Sequence, residues 1–250
     1  MSAIVGQLKR SLVIAGKNVK IYYSKGPVIV FGLVFPLFLA LAYVVGRDLP
    51  LEEVLPGLIG MTAFFTATSV GPSIAPWEAR SRTLERLLCC PVAPWTIIAG
   101  DMLSSFFFGF IISAVPLALT LALGVQPLNF VALLIGLMIA SLCFAALSVL
   151  LSAYPPTDVP ATTMMLSSLV KFPLVFISGV FIPVERLPQW GAAVASISPL
   201  TYFTDMVRQL LINKGFYPLA LDFLALIAFT AALAFAAIKL HEKTLARRLS

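Results

Sequence analysis

LNFVALLIGLMIASLCFAALSVLLS, residues 128–152, runs for 25 positions without one charged side chain. The hydrocarbon core of a bilayer is about 30 Å thick, and a helix crosses it with roughly 20 apolar residues. Since every backbone N–H and C=O group in lipid needs an internal partner, such a run predicts a membrane-spanning helix. The run does not show the strict polar–apolar alternation over about ten residues that is typical of a strand in a membrane barrel.

Five other segments have the same apolar character: 27–46, 54–76, 97–123, 160–183 and 217–239. The whole chain is 60% hydrophobic and 11% charged, whereas soluble domains carry roughly 25% charged residues. So few charges cannot cover the surface of a soluble fold of this size, and lipid must cover part of it. We therefore predict an all-α polytopic membrane protein, with six transmembrane helices in a single domain over residues 1–250.

The positions of the basic residues predict the orientation, because Lys and Arg are enriched in cytoplasmic connections. With both termini in the cytoplasm, twelve of these residues lie inside: Lys9, Arg10, Lys17, Lys20, Lys25, Arg80, Arg82, Arg86, Lys239, Lys243, Arg247 and Arg248. Four lie outside, namely Arg47, Arg186, Arg208 and Lys214. The basic residues flank apolar runs and are not interleaved with aromatics in a solvated segment, which argues against nucleic-acid binding.

Residues 1–25 precede the first apolar run and carry a helical stripe of larger apolar residues: Ile4, Leu8, Leu12, Ala15, Val19 and Tyr22. Most of the lysines and arginines of this segment lie off the stripe. The pattern predicts an amphipathic helix in the plane of the inner membrane surface. A solvated basic tail remains the alternative.

Residues 77–96, WEARSRTLERLLCCPVAPWT, connect the second and third predicted spans and are longer than a simple turn needs. Glu78 and Arg82 stand four positions apart with the acid first, which favours a helix. Pro91 and Pro94 then end it. We expect a short cytoplasmic helix over 77–90 that docks on a soluble partner; a helix lying on lipid headgroups is the alternative.

Residues 171–205, KFPLVFISGVFIPVERLPQWGAAVASISPLTYFTD, stay apolar although glycine and proline recur. Irregular backbone at membrane depth must be buried in protein or line a wet cavity. We therefore expect an external re-entrant hairpin over 184–216, before the last span.

Two motifs resemble those of type-2 ABC exporter permeases, the family of drug and polysaccharide exporters. Glu78 followed by TLERLL (83–88) and Pro91 is similar to that family's E…GTLE.L…P segment, with Arg82 where the family usually has glycine. The stretch from Ser178 to Arg208 is similar to its SG.f.P…lP…PLTY…R signature.

The resemblance implies that two such permeases pair and that each docks an ABC ATPase subunit, which binds ATP and Mg. By matched position it assigns coupling to Glu78, Thr83, Leu84, Glu85 and Arg86. We expect Trp77 and Arg80, in the same helix, to take part in coupling as well. The resemblance assigns the external element to Ser178, Gly179, Pro183, Pro188, Pro199 and Tyr202. The chain itself has no G-x-x-x-x-G-K-[ST] sequence that could hold phosphates, so we expect no cofactor and no catalysis on it. The implied location is the cell membrane of a prokaryote, in contact with lipid.

Isolated polar residues give weaker signals. Lys171 lies within the fifth predicted span, where an ammonium must face protein or water. It either lines the translocation path or pairs with a carbonyl between helices. Asp101 suits a helix start, and His241, the single histidine, falls in a basic tail. The pattern therefore favours neither a metal site nor histidine catalysis.

Two other functions remain open on the sequence alone. A motor-independent secondary transporter or channel would use intramembrane carboxylates or inverted repeats. A membrane-embedded lipid-modifying enzyme would use clustered His, Asp or Glu. The sequence does not identify the substrate (drug, lipid or glycan), and it does not decide between a homodimer and a heterodimer.

Overall fold

The structure is a computed structural model that describes residues 2–45, 50–154 and 157–248. All regular elements among these residues are helical, which confirms the all-α class. The N-terminal third contains α1 (Ser2–Asn18), a π-helical turn (Val19–Tyr23), α2 (Gly26–Ile29), a second π-helical turn (Val30–Val34), α3 (Phe35–Val44), α4 (Leu51–Ala67) and α5 (Gly71–Arg80). The rest contains α6 (Thr83–Leu88), α7 (Pro94–Ala122), α8 (Phe130–Ala153), α9 (Pro160–Ile177), a 3-10 turn (Val184–Arg186), α10 (Gln189–Ala195), α11 (Pro199–Ile212) and α12 (Leu219–Arg248).

Five stretches of the described residues are long and apolar enough to cross a bilayer: Leu51–Arg80, Pro94–Ala122, Phe130–Ala153, Pro160–Ile177 and Leu219–Thr244. Where the sequence predicts a first span over 27–46, the structure has a shorter apolar helix, Val30–Val44. The predicted span 160–183 ends early, at Ile177, because the chain turns at Gly179, whose φ is +73°. Arg47 lies outside the described residues, as do the side chains of Ile4, Arg247 and Arg248.

The core forms around α8, which packs on α12, α7, α4 and α11. A chain of aromatic rings joins three of these helices: the centroids of Phe64 and Phe144 are 5.2 Å apart, and those of Phe144 and Phe203 are 6.0 Å apart. Both pairs meet edge to face, the arrangement that aromatic quadrupoles favour. α9 packs mainly on α5 and has fewer contacts with α8 and α11. One side of α5 and α9 is therefore left open.

Residues 184–216 are more regular than the sequence suggests, because the prolines begin helices and do not interrupt them. Pro188 is the N-cap of α10, and Pro199 lies in the first turn of α11. Proline fits these positions, since the first amides of a helix have no intrahelical acceptor. α11 is mostly buried and packs on α4, α8 and α12.

Candidate functional site

The predicted coupling residues divide between two helices. Trp77–Arg80 form the last turn of α5, and Thr83–Arg86 belong to α6. Ser81 ends α5 by donating from its hydroxyl to the carbonyl of Trp77 at 2.7 Å. Arg82 then reverses the chain with φ +54° and ψ +23°, in the left-handed region. The corner between α5 and α6 is therefore made by one residue.

Burial separates these residues into anchors and a surface. Glu78 is 1% exposed and Leu84 is 4% exposed, so both point into the protein. Arg80, Glu85 and Arg86 are exposed. Thr83 is half-buried and donates to the carbonyl of Glu78 at 3.3 Å, which ties α6 back to α5. The exposed charges thus lie on a segment whose other side is packed against the protein.

The N-terminal region holds the start of this segment. The ammonium of Lys17 donates to a carboxylate oxygen of Glu78, forming an ion pair between α1 and α5. In the following π-helical turn, the ring of Tyr22 stacks on that of Trp77, with centroids 5.5 Å apart and planes 12° apart. α1 is therefore attached directly to the end of α5.

α1 also contacts the other end of the 77–96 connection. Arg10 donates to the carbonyl of Pro91. Ser11 donates to the carbonyl of Thr96 at 3.1 Å, and the amide oxygen of Gln7 accepts from the Thr96 hydroxyl at 2.9 Å. We call residues 2–23 the N-terminal bracket, because they contact both ends of the 77–96 connection.

α1 packs on α7 through both apolar and polar side chains. Ile14 is buried next to Gly100 of α7. Ser11 and Asn18 are fully buried against α7, whereas Leu8 and Leu12 are 50% and 54% exposed. Asn18 donates to the carboxylate of Asp101 at 2.6 Å. Of the predicted apolar stripe, Leu8 and Leu12 are exposed and Ala15 is buried. The periodicity gave no sign that Ser11 and Asn18 would be buried as well.

His241 corrects the sequence interpretation, which placed it in a basic tail. It lies in α12 at 6% exposure, and its Nε2 donates to the carbonyl of Val149 at 3.0 Å. Together with Glu78 and Asp101, it lines a cavity of about 20 Å³, a volume of about one water molecule. Only the fold brings these three side chains together, since they are far apart in sequence.

Tyr23 fastens the end of the bracket to α7. Its ring is fully buried, and its hydroxyl hydrogen-bonds the hydroxyl of Ser105 at 2.6 Å. Burial raises the pKa of Tyr23 well above its usual value, so the hydroxyl stays neutral. This contact keeps the bracket next to the third predicted span.

Beside α5 lies an apolar groove of about 1200 Å³. Its walls are formed by residues between 21 and 35, by the 65–81 part of α4 and α5, and by α9. Aromatic and thioether side chains dominate the lining: Tyr22, Phe31, Phe35, Phe65, Trp77, Met164, Met165 and Phe172. α5 therefore contributes both to the groove and to the predicted coupling segment, residues 77–90.

Lys171 lies in this groove at the break between α4 and α5. The residue is 6% exposed, and its ammonium donates to the carbonyl of Thr68 at 3.2 Å. In a continuous helix that carbonyl would accept from the amide four residues on, which is Pro72 and has no N–H. The structure thus shows a lysine that both satisfies a backbone carbonyl and lines a cavity, so the two interpretations of Lys171 are compatible.

The predicted external element closes on α4 and α11. Gly179 makes the turn with a positive φ, and its carbonyl accepts from Arg208 at 3.2 Å. The carbonyl of Ser178 accepts from Thr204 at 3.0 Å. Tyr202 donates from its hydroxyl to the carbonyl of Ser196 at 2.9 Å. Pro183 precedes the 3-10 turn, whose last residue, Arg186, lies 3.4 Å from Glu53 at the start of α4. The element therefore reaches both α4 and α11 through side-chain contacts.

Comparison with known proteins shows the family. The sequence model described as ABC-2 type transporter matches residues 11–212. This chain belongs to the ABC-2 type transporter family. The match includes most of the bracket, the coupling segment, the groove helices and the external element, so the resemblance is confirmed. Together with the five long apolar helices of the described residues, the family assignment identifies a multi-pass membrane protein.

Three relatives illustrate the range of the family. The probable multidrug ABC transporter permease YbhR of Escherichia coli (strain K12) is 25% identical over 181 residues, which are 65% of this chain and 44% of that protein. Nodulation protein J of Bradyrhizobium diazoefficiens is 27% identical, over 87% of this chain and 82% of its own length. The daunorubicin resistance ABC transporter permease protein DrrB1 of Streptomyces coeruleorubidus is 26% identical, over 77% and 69%. The chain thus spans less than half the length of YbhR.

Arg82 holds the corner between α5 and α6 with a φ of +54°, which glycine adopts without steric cost. Arginine keeps the corner at some conformational expense.

Proposed function

We propose that this ABC-2 family member is the transmembrane subunit of an ATP-driven exporter. It moves its substrate out of the cytoplasm, and a separate ABC ATPase subunit binds ATP and Mg and supplies the energy. One observation carries the proposal: α5 ends in the exposed coupling segment and also lines the groove. Force applied to the segment therefore acts on the groove wall directly.

The division between anchors and exposed charges suits this role. Arg80, Glu85 and Arg86 face the partner, while Glu78 and Leu84 transmit its movement into the membrane domain. The N-terminal bracket prevents the segment from yielding independently, because it contacts both ends. A connection that only joined two spans would need none of these contacts.

The groove supports a paired arrangement. Its lining includes exposed apolar side chains such as Phe31, 61% exposed, and Met165, 65% exposed, and a second permease subunit facing it would complete an enclosed path. In this proposal the run Gly26–Val44 crosses the membrane as the first span, which brings the total to six. Both termini are cytoplasmic, and the 184–216 element forms the outer end. The membrane is the cell membrane of a prokaryote.

Charge reversal tests the docking assignment. The double variant Glu85→Arg/Arg86→Glu exchanges two exposed charges without changing the net charge, and it should abolish co-purification of the ATPase subunit. The matched control is Glu242→Arg/Lys243→Glu, another exposed acid–base pair on the same predicted side, which should leave co-purification intact.

Equal retention of the ATPase subunit by both variants would show that α6 is not the docking helix. Transport by the purified chain alone in liposomes, driven by an ion gradient, would contradict the ATP-driven mechanism itself.

A further inference from the structure

We propose that the groove selects anionic amphiphiles, with one apolar body and one acidic head group, and that Lys171 recognises the head group. This inference rests on the proposed export function, since it names the substrate class of the same groove. The substrate would enter from the cytoplasmic leaflet, with its apolar body along the groove wall.

The lining suits an apolar body. Phe31 and Met165 are more than half exposed, and Phe172 is 36% exposed although it contacts Phe35 edge to face at 6.0 Å between centroids. Thioether and aromatic side chains adapt to ligands of different shape. A chain or ring system placed here would bury apolar surface that the described part of the protein leaves open.

The charges favour an acid. Among the described residues that line the groove, the charged ones are Lys25 and Lys171. Glu78 lies nearby but is 1% exposed and paired with Lys17, so its charge is compensated elsewhere. A positively charged amine head group would therefore be repelled by both lysines. A carboxylate or phosphate would be attracted by both.

Lys171 is the better placed of the two. It is 6% exposed, and its hydrogen bond to the carbonyl of Thr68 uses one of three N–H donors. A buried charge is costly until an opposite charge compensates it, and charge pairs are stronger where water is excluded. An acidic head group at this depth would supply the missing countercharge. Lys25, which is exposed, is screened by water and should contribute less.

The test compares probes that differ only in the head group: 12-(NBD-amino)dodecanoate, its methyl ester and the corresponding alkylamine. Binding is followed by NBD fluorescence on the permease–ATPase complex in nanodiscs of neutral phosphatidylcholine. Wild type should bind the carboxylate about tenfold more tightly than the ester, as expected for one hydrogen bond to a charged group, and should bind the amine most weakly.

Variants then assign the selectivity. Lys171→Gln keeps a donor for the carbonyl of Thr68 but removes the charge, so the carboxylate-to-ester ratio should fall below about twofold. Lys171→Arg should keep most of the selectivity, and Lys25→Met, the control on the same groove, should change it by less than about threefold.

Equal binding of carboxylate and ester by wild type would overturn the proposal, and so would undiminished selectivity in Lys171→Gln. The proposed function fails separately, since loss of the ATPase subunit from the wild-type complex would show during purification, before any probe is added.

Discussion

Removing the ammonium of Lys17 should destabilise the packing of α1 on α5. Its partner Glu78 has a side-chain exposure of 1%, and Lys17 itself is 29% exposed. Breaking a fully buried pair costs about 3–5 kcal/mol, and exposed pairs contribute about 0–1 kcal/mol. The partial exposure of Lys17 places this pair between the two, so we expect Lys17→Met to cost about 2 kcal/mol.

A double-mutant cycle separates the ion pair from other losses. Glu78→Gln alone should cost less than Lys17→Met, because it leaves an exposed ammonium that water can solvate and no buried charge. The double variant should be more stable than Lys17→Met, with a coupling free energy of about 1–2 kcal/mol.

Unfolding by SDS in mixed micelles, followed by far-UV circular dichroism, gives the required free energies. The control is Lys239→Met, which removes an ion pair with Glu242 whose side chains are 58% and 46% exposed. That change should stay within about 0.5 kcal/mol. If Lys17→Met is as mild as Lys239→Met, or if the double variant is no more stable than Lys17→Met, the buried ion pair is not what holds α1 to α5.

Three other predictions concern the N-terminal bracket, the corner at Arg82 and the connection between α11 and α12. Gly100→Val should detach α1 and make it sensitive to limited proteolysis, because a Cβ at Gly100 would lie 2.6 Å from Cγ2 of Ile14, whereas Gly16→Ala, with no atom within 4 Å of the new methyl, should be silent. Arg82→Gly should stabilise the chain by about 0.5–1 kcal/mol in the same SDS assay, and a loss of stability would show that the arginine side chain outweighs its backbone strain. Asp205→Asn should destabilise the chain by about 2 kcal/mol, because the buried carboxylate accepts from the backbone amides of Phe216 and Tyr217, between α11 and α12, at 2.9–3.0 Å. An unchanged midpoint of SDS unfolding would refute that role.

The helical class and the family were predictable because both leave local signals. Apolar runs report burial in lipid, and the residues around Glu78 and Gly179 carry the family motifs. The break at Thr68 was not predicted, although Pro72 is visible in the sequence, since its partner Lys171 comes from a distant helix. For the same reason, the sequence left two roles open for Lys171. The structure shows its bond to a carbonyl and its place in the groove, and its role in translocation stays a prediction.

The polar packing was the least predictable part. Asn18, Asp101 and His241 each look unremarkable in sequence, because their meaning depends on three helices that come together only in the fold. Periodicity reports apolar residues, so the burial of Ser11 and Asn18 on α1 gave no signal. The prolines of the 184–216 segment were misleading in the opposite way: proline disrupts a helix interior but suits a first turn, and the sequence alone does not say which position Pro199 occupies.

The docking of the motor can be measured most directly by photocrosslinking. A p-benzoylphenylalanine replaces Arg86 on α6 or, as the control, Trp190 on α10, which is 74% exposed. The account predicts a crosslink from position 86 to the nucleotide-binding subunit and none from position 190. A crosslink to that subunit from position 190, with none from 86, would contradict it.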